Sequence, residues 1–291
     1  MKNIFEIFRV IENKTGLRIA NSESLSGGCI SDAYKLVTDS GENFFLKFNK
    51  EVPENFFIKE ANGLEELKKS GSIKIPKVIM SEKNFIITEF IRQGKSHKNF
   101  FGEFGYQFAE LHKTTSDSFG FYEDNFIGST IQRNIPDENQ KNDWVNFYFD
   151  KRLLFQLKLA EKKGYADGEL RSCFIQLEKR INSILGGVIE KPSLLHGDLW
   201  GGNFMIDETG SACLIDPAVY YGNREADLAM TKLFGGFSSE FYTAYNENYP
   251  LTEDYLYREN IYKLYHVMNH LNLFGGSYYH QALGLLKSYL K

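Results

Sequence analysis

Three residues beyond the midpoint of the chain, Asp198, Asn203 and Asp216, have the types and the spacing that phosphoryl chemistry needs. They stand in the run HGDLWGGN, His196 to Asn203, and at the end of LIDP, where Asp216 precedes Pro217. Moving a phosphoryl group from ATP to a hydroxyl requires a carboxylate that orients the hydroxyl and takes its proton. It also requires oxygen ligands for Mg²⁺ where charge builds on the transferring phosphates. Asp198 is the candidate base, and Asn203 and Asp216 are the candidate metal ligands. The plain alternative is a polar turn, a hairpin and an incidental Asp-Pro. That alternative leaves the spacing, the preceding His-Gly and the intervening apolar hairpin as separate coincidences.

Phosphates also need a cation. Lys47 ends the apolar strand FFLKF, and a strand lysine aimed into a cleft can hold the α- and β-phosphates if a carboxylate orients it. Glu60, on the helix that follows, is the candidate partner, although Glu65 and Glu66 share that helix. The turn Ser26-Gly27-Gly28-Cys29 joins two expected strands. Glycines at Gly27 and Gly28 would let backbone N–H groups approach a nucleotide, though hairpin turns favour glycine in any case. Cys29 in that turn is a small side chain whose oxidation or intermolecular pairing would distort the nucleotide cover.

The segment Glu89-Phe90-Ile91 is expected to offer backbone groups of Glu89 and Ile91 to adenine, with Phe90 packed on the base. Trp200 and Asn125 are candidates for the acceptor pocket. His196 reads as a buried scaffold residue, and Asp227 as a helix cap that also anchors the catalytic loop. His112, His266 and His270 fall among apolar helical neighbours, the pattern of satisfied core or cleft residues. Trp144 reads as core.

These groups must be carried by two kinds of structure. A helix over 2–15 precedes strands at 19–25, 30–38 and 43–48, with turns at Ser26-Gly27-Gly28 and Asp39-Ser40-Gly41. A helix from about Pro53 to Lys69 follows, ended by Ser70-Gly71, and then strands at 78–80 and 85–90. Beyond Gly94 the pattern predicts helices over 98–115, 141–163, 168–185, 224–233, 237–247 and 252–288, the last broken at Gly275-Gly276. The polar stretch 116–143 lacks periodicity, and a loop of that length in a compact domain is usually functional. The fold class is therefore α+β. Residues 1–92 form a small antiparallel lobe with one crossing helix, and residues 93–291 a larger helical lobe.

The whole-chain figures fit this division. At 291 residues with 42% hydrophobic content, the chain can bury a sizeable core. A net charge of -4, with no basic block, argues against nucleic acid as a partner. No apolar run approaches the roughly 18 residues of a membrane span. The N-terminus lacks a signal-peptide core, and three scattered cysteines suit a reduced, cytoplasmic protein. Oligomeric state is open between a monomer and a redox-linked dimer.

The Asp198-to-Asn203 spacing is that of the protein-kinase catalytic loop. HGDLWGGN with its Trp200, the GGCIS turn, DNFIGST at 124–130 and YKLYHVMNHLNLFGGSY at 262–278 together resemble the fructosamine kinase (ketosamine-3-kinase) family. Aminoglycoside and choline kinases share the general HGDxxxxN but normally lack the Trp-Gly-Gly. The resemblance spans nearly the whole chain. It implies a protein-kinase-like fold similar to the aminoglycoside phosphotransferases, with ATP and Mg²⁺. It further implies phosphorylation of the sugar 3-hydroxyl of a small-molecule or protein-bound ketosamine, an unstable product and release of the amine. Two alternatives stand beside it: another small-molecule alcohol kinase, and a non-catalytic nucleotide-binding protein. The second should lack a lysine, base or metal ligand, and none is lacking.

Overall fold

Short runs of β-branched and aromatic residues, punctuated by turns such as Asp39-Ser40-Gly41, make strands of the first part of the chain. The computed structural model describes residues 2–25, 31–187 and 190–290. It opens with helix α1 (Lys2–Thr15) and strands β1 (Ile19–Leu25), β2 (Asp32–Thr38) and β3 (Asn43–Phe48). Helix α2 (Phe56–Lys68) and strands β4 (Val78–Glu82) and β5 (Phe85–Glu89) follow. The strands form one antiparallel sheet in the order β1-β2-β3-β5-β4, with β3 at its centre.

The two-residue period of a strand then assigns the faces. Leu46, Leu36 and Ile87 pack against Ile7 and Ile11 of α1. Lys47, one residue on from Leu46, points the other way together with its cross-strand partner Ile86. That face belongs to α2, whose Phe57, Ala61 and Leu64 share a core cluster with Ile86. Helix α2 starts at Phe56 and not at Pro53. Asn55 takes a left-handed backbone, φ 61°, which prevents the helix from reaching further back.

Past Glu89 the chain is mainly helical. It runs through α3 (Phe100–His112), a small hairpin of β6 (Asn125–Ile127) and β7 (Thr130–Gln132), α4 (Trp144–Tyr148), α5 (Phe155–Lys162), α6 (Gly168–Glu178) and α7 (Ile181–Leu185). Strands β8 (Ser193–Leu195), β9 (Phe204–Ile206), β10 (Ala212–Leu214) and β11 (Tyr220–Gly222) come next. Helices α8 (Glu225–Thr231), α9 (Ser239–Asn248), α10 (Tyr255–Phe274) and α11 (Tyr279–Lys287) complete it. The long aromatic side chains meet inside this part: Phe104 and Phe108 of α3 pack on Phe241 of α9. Each such buried ring contributes roughly 1.5–3 kcal/mol relative to exposure. Trp144 is in the core as expected, its indole N–H donating to Tyr262 Oη at 3.1 Å.

Three expectations are corrected here. The helix expected over 141–163 is divided by a π-helical turn, Phe149–Leu154, between α4 and α5. Arg152 of this turn sends its guanidinium inward, 4.1 Å from the ring centre of Tyr220 and 2.7 Å from Asn134 Oδ1. The helix expected over 168–185 breaks after Glu178, where Arg180 turns to donate to the carbonyl of Tyr289 at 2.7 Å. The stretch 116–143 contains the β6–β7 hairpin, whose strands are too short to announce themselves by period.

The sheet and the helical part are joined through the β9–β10 hairpin. Gly94 N donates to Ile206 O at 2.9 Å, and Leu214 N to Lys74 O at 3.0 Å. The chain thus grips that hairpin on its way into and out of the sheet. Among the described residues, no helix is long and apolar enough to cross a membrane.

Candidate active site

Strand β8 is fully buried and pairs with β11, so the loop that leaves it at His196 starts from a rigid edge. Gly197 has φ 81°, and a Cβ there would lie 2.0 Å from the carbonyl oxygen of Ala218, which only glycine avoids. The loop is tied down from below by Asp227. Its carboxylate accepts the backbone N–H of His196 at 2.6 Å and of Gly197 at 2.8 Å. Asp227 is therefore a loop anchor as expected, but it does not cap a helix. It lies inside the first turn of α8, and its oxygens are consumed by the loop and by His112 Nε2 at 3.2 Å. His112 in turn accepts from Tyr245 Oη through Nδ1 at 2.7 Å, so both ring nitrogens are satisfied in the core.

His196 is buried as expected and does a further job. Its Nε2 donates to the carbonyl of Ile215 at 2.9 Å, and its Nδ1 accepts the N–H of Asp198 at 3.3 Å. One imidazole thereby links the loop bearing Asp198 to the residue before Asp216. Burial lowers its proton affinity and keeps it neutral in this double role.

The carboxylates and the lysine meet in the cleft. Lys47 Nζ bonds Glu60 Oε1 at 2.9 Å and also bonds Asp216 Oδ1. Burial disfavours the lysine's charge, but the Asp216 and Glu60 carboxylates outweigh it and hold the ammonium above its ordinary range. Glu60 shifts upward through burial, with Lys47 opposing. Asp216 takes a left-handed backbone, φ 56°; with Asn55 it forms the pair of non-glycine residues above zero among the described ones. Such a conformation costs free energy and must be held by its surroundings. Here it leaves the carboxylate partly open to the cleft.

Asn203 joins the two halves of the site. Its Nδ2 donates to the carbonyl of Asp198 at 2.8 Å and to Asp198 Oδ2 at 3.1 Å. Asp198 is pushed well above the usual carboxylate range by burial and by the Asp216 charge, with the Asn203 bond opposing. Trp200 is 38% exposed and meets Phe234 edge to face, their ring centres 6.0 Å apart. The ring folds over Gly202, where a Cβ would stand 2.5 Å from it.

Other expected residues sit differently. Asn125 is buried, with Nδ2 on the Val219 carbonyl at 2.7 Å and Oδ1 receiving Gln132 and Asn134 at 2.9 and 2.8 Å. Its polar atoms are spent inside the protein, so the acceptor-pocket expectation gives way to a bracing role. The backbone N–H of Glu89 already donates to the Lys77 carbonyl at 2.8 Å, and its carboxylate faces Lys74 at 3.3 Å. Its carbonyl accepts the Thr88 hydroxyl at 3.3 Å and keeps a second lone pair for a base. Ile91 is buried beside it, and Phe90 has the Lys35 ammonium 5.3 Å from its ring centre. Gly27, Gly28 and Cys29 lie outside the described residues.

A polar brace, unmarked by any sequence motif, supports the site. Gln132 Nε2 donates to the Ala218 carbonyl at 2.8 Å, and Tyr265 Oη donates to Gln132 Oε1 at 2.8 Å. The same loop reaches α2: Lys59 Nζ donates to the Asp124 carbonyl, and Asn62 Nδ2 to Glu123 Oε1 at 2.8 Å. The one available signal was three amides, Asn125, Gln132 and Asn134, in a long loop.

Comparison with known proteins follows the same lines. The family model described as fructosamine kinase matches residues 4–291. The chloroplastic protein-ribulosamine 3-kinase of Arabidopsis thaliana is 39% identical over 281 residues, covering 94% of this chain and 84% of that protein. A probable ketoamine kinase of Synechocystis sp. is 37% identical over 292 residues, covering 98% and 96%. A crystal structure of a fructosamine-3-kinase candidate from Thermobifida fusca superposes with a TM-score of 0.87 at 29% identity, covering 98% of each chain. ADP-bound aminoglycoside phosphotransferase APH(2'')-Ib shares the fold alone, with a TM-score of 0.62 at 16% identity over 97% of each chain.

Proposed function

The chain belongs to the fructosamine kinase family, and from that premise we propose that it transfers the γ-phosphoryl group of ATP to the sugar 3-hydroxyl of a ketosamine. The fold is two-lobed, α+β and protein-kinase-like, and ATP as co-substrate follows from the family. The observation that carries the proposal is the meeting of Lys47, Glu60 and Asp216 at one ammonium, with Asn203 bonded to Asp198 beside them. We divide the lobes at 92/93, where the chain has left β5 and begins to pair with the β9–β10 hairpin.

In this reading Asp198 orients the 3-hydroxyl and accepts its proton as the oxygen attacks. Lys47, held by Glu60, neutralises the α- and β-phosphates and exchanges its contact with Asp216 for them. Gly27 and Gly28, outside the described residues, would offer backbone N–H groups to the phosphates. The Glu89 carbonyl, Phe90 and Ile91 receive adenine, and Trp200 borders the acceptor. Little covalent chemistry is asked of the protein; alignment and charge stabilisation supply the rate.

A magnesium ion fits the donors present. Asn203 commits its Nδ2 to Asp198, which leaves its carbonyl Oδ1 free of that contact. An amide carbonyl and a carboxylate are hard oxygen donors, and Mg²⁺ usually takes one or two from protein while water and phosphates complete its shell. Among the described residues no cluster of three or more acidic, His or Cys ligands forms a cage, which suits a cation that arrives with the nucleotide. Asn203 and Asp216 would hold it, and it would offset the charge that builds on the phosphate oxygens.

The phosphorylated adduct is unstable and regenerates the amine, so the activity is deglycation. A cytoplasmic location belongs to the same proposal, although the Arabidopsis relative is chloroplastic. The test is an acceptor panel with Mg·ATP: ribulosyl-, erythrulosyl- and fructosyl-lysine, each free and protein-bound, beside an aminoglycoside and choline. ADP release restricted to the ketosamines supports the proposal. Turnover of the aminoglycoside or choline with no ketosamine turnover contradicts it.

A further inference from the structure

His266 lies on α10 and faces Asp198 of the catalytic loop. Its side chain is 4% exposed, and its Nδ1 is sealed from solvent with no hydrogen-bond partner among the described residues. A buried polar nitrogen left without a partner is a standing cost to the fold. Nδ1 lies 4.0 Å from Oδ1 of Asp198, while the other oxygen of that carboxylate, Oδ2, receives Asn203. The helix around His266 is held by two contacts. The His266 carbonyl is bonded to His270 Nδ1 at 2.8 Å, and the preceding Tyr265 is bonded to Gln132.

We propose that His266 is a positioning residue for the base: in the ternary complex its Nδ1–H donates to Oδ1 of Asp198. This rests on the reading of Asp198 as the base. The gap of 4.0 Å exceeds a hydrogen bond by about 1 Å. Catalytic hydrogen bonds are often long before substrates bind and tighten in the Michaelis complex. With Asn203 on one oxygen and His266 on the other, the carboxylate cannot rotate. Each oxygen keeps a second lone pair, so the acceptor's proton still has a site to reach. The contact also ties the base to α10, and through Tyr265 and Gln132 to the Ala218 carbonyl just beyond Asp216.

Three variants decide it. The amide nitrogen of His266→Asn stands where Nδ1 stood, that of His266→Gln stands nearer Nε2, and His266→Phe has no donor. The expected result is that His266→Asn keeps kcat within about fivefold of wild type, while His266→Gln and His266→Phe lose roughly thirtyfold or more. KM for ATP should stay within about twofold in all three, because positioning the base acts on the transferring step. If the Phe variant fails to fold, the Asn–Gln pair still decides. An active wild type whose variants share one kcat, high or low, overturns the positioning role alone. A wild type that phosphorylates no ketosamine overturns the functional reading, and the positioning role falls with it.

Discussion

Lys47 stays charged in a buried setting because two carboxylates reach it, and each has a separate task in the proposed reaction. Removing the charge of Glu60 leaves Asp216 to hold the lysine alone, which opposes its transfer to the phosphates. Glu60→Gln should therefore raise KM for ATP by roughly tenfold, measured by ADP release at saturating acceptor. Asp198 acts on the other substrate. Asp198→Asn keeps the shape and the Asn203 neighbour but removes the proton acceptor, so kcat should fall about a hundredfold or more with KM for ATP little changed. Near-wild-type turnover in that variant would remove Asp198 as base.

At the scale of elements, the hairpin β6–β7 and its flanks brace the site by a route the amino-acid pattern hides. Asn125 holds the Val219 carbonyl, Gln132 the Ala218 carbonyl, and Lys59 and Asn62 hold α2 to the same loop. Asn125→Ala takes one acceptor from the amides of Gln132 and Asn134 and the shorter of two donors from the Val219 carbonyl. It should cost about 1–3 kcal/mol in urea unfolding and lower kcat more than it changes KM for acceptor. The catalytic loop was legible because its chemistry is contiguous, from His196 to Asn203. Lys47 and Glu60 were legible because strand alternation and a following helix put them on one side. Asn125 was misread because its partners are the backbone carbonyl of Val219, which carries no side-chain signature, and two amides, Gln132 and Asn134, that no spacing rule pairs with it. His266 read as core because its neighbours on α10 are apolar, and only the neighbouring Asp198 distinguishes it. The π-helical turn at Phe149–Leu154 serves the inward Arg152, a burial that helical period does not reveal.

Over the whole molecule, four histidines are held neutral by burial: His112, His196, His266 and His270, with His266 lowered to about 3. Unfolded histidine titrates near 6.5, so below that pH the unfolded chain binds protons that the folded chain refuses. Stability therefore falls as pH drops from about 6.5 towards the folded values, by up to about 1.4 kcal/mol per unit for each histidine. Asp198 and Glu60, raised by burial, act in the opposite sense. The clean test compares wild type with His112→Asn by urea unfolding at about pH 7.5 and about pH 5.5, where the variant should lose less stability on acidification. An equal loss would place the acid sensitivity elsewhere. The same molecule must bring both lobes to one triphosphate, and a crystal structure with Mg²⁺, a non-hydrolysable ATP analogue and a ketosamine tests that directly. The phosphates should lie against Lys47, the cation on Asn203 and Asp216, and the sugar 3-oxygen within about 2.6–3.2 Å of the Asp198 carboxylate. A 3-oxygen remote from Asp198, or phosphates bound away from Lys47, would contradict this arrangement.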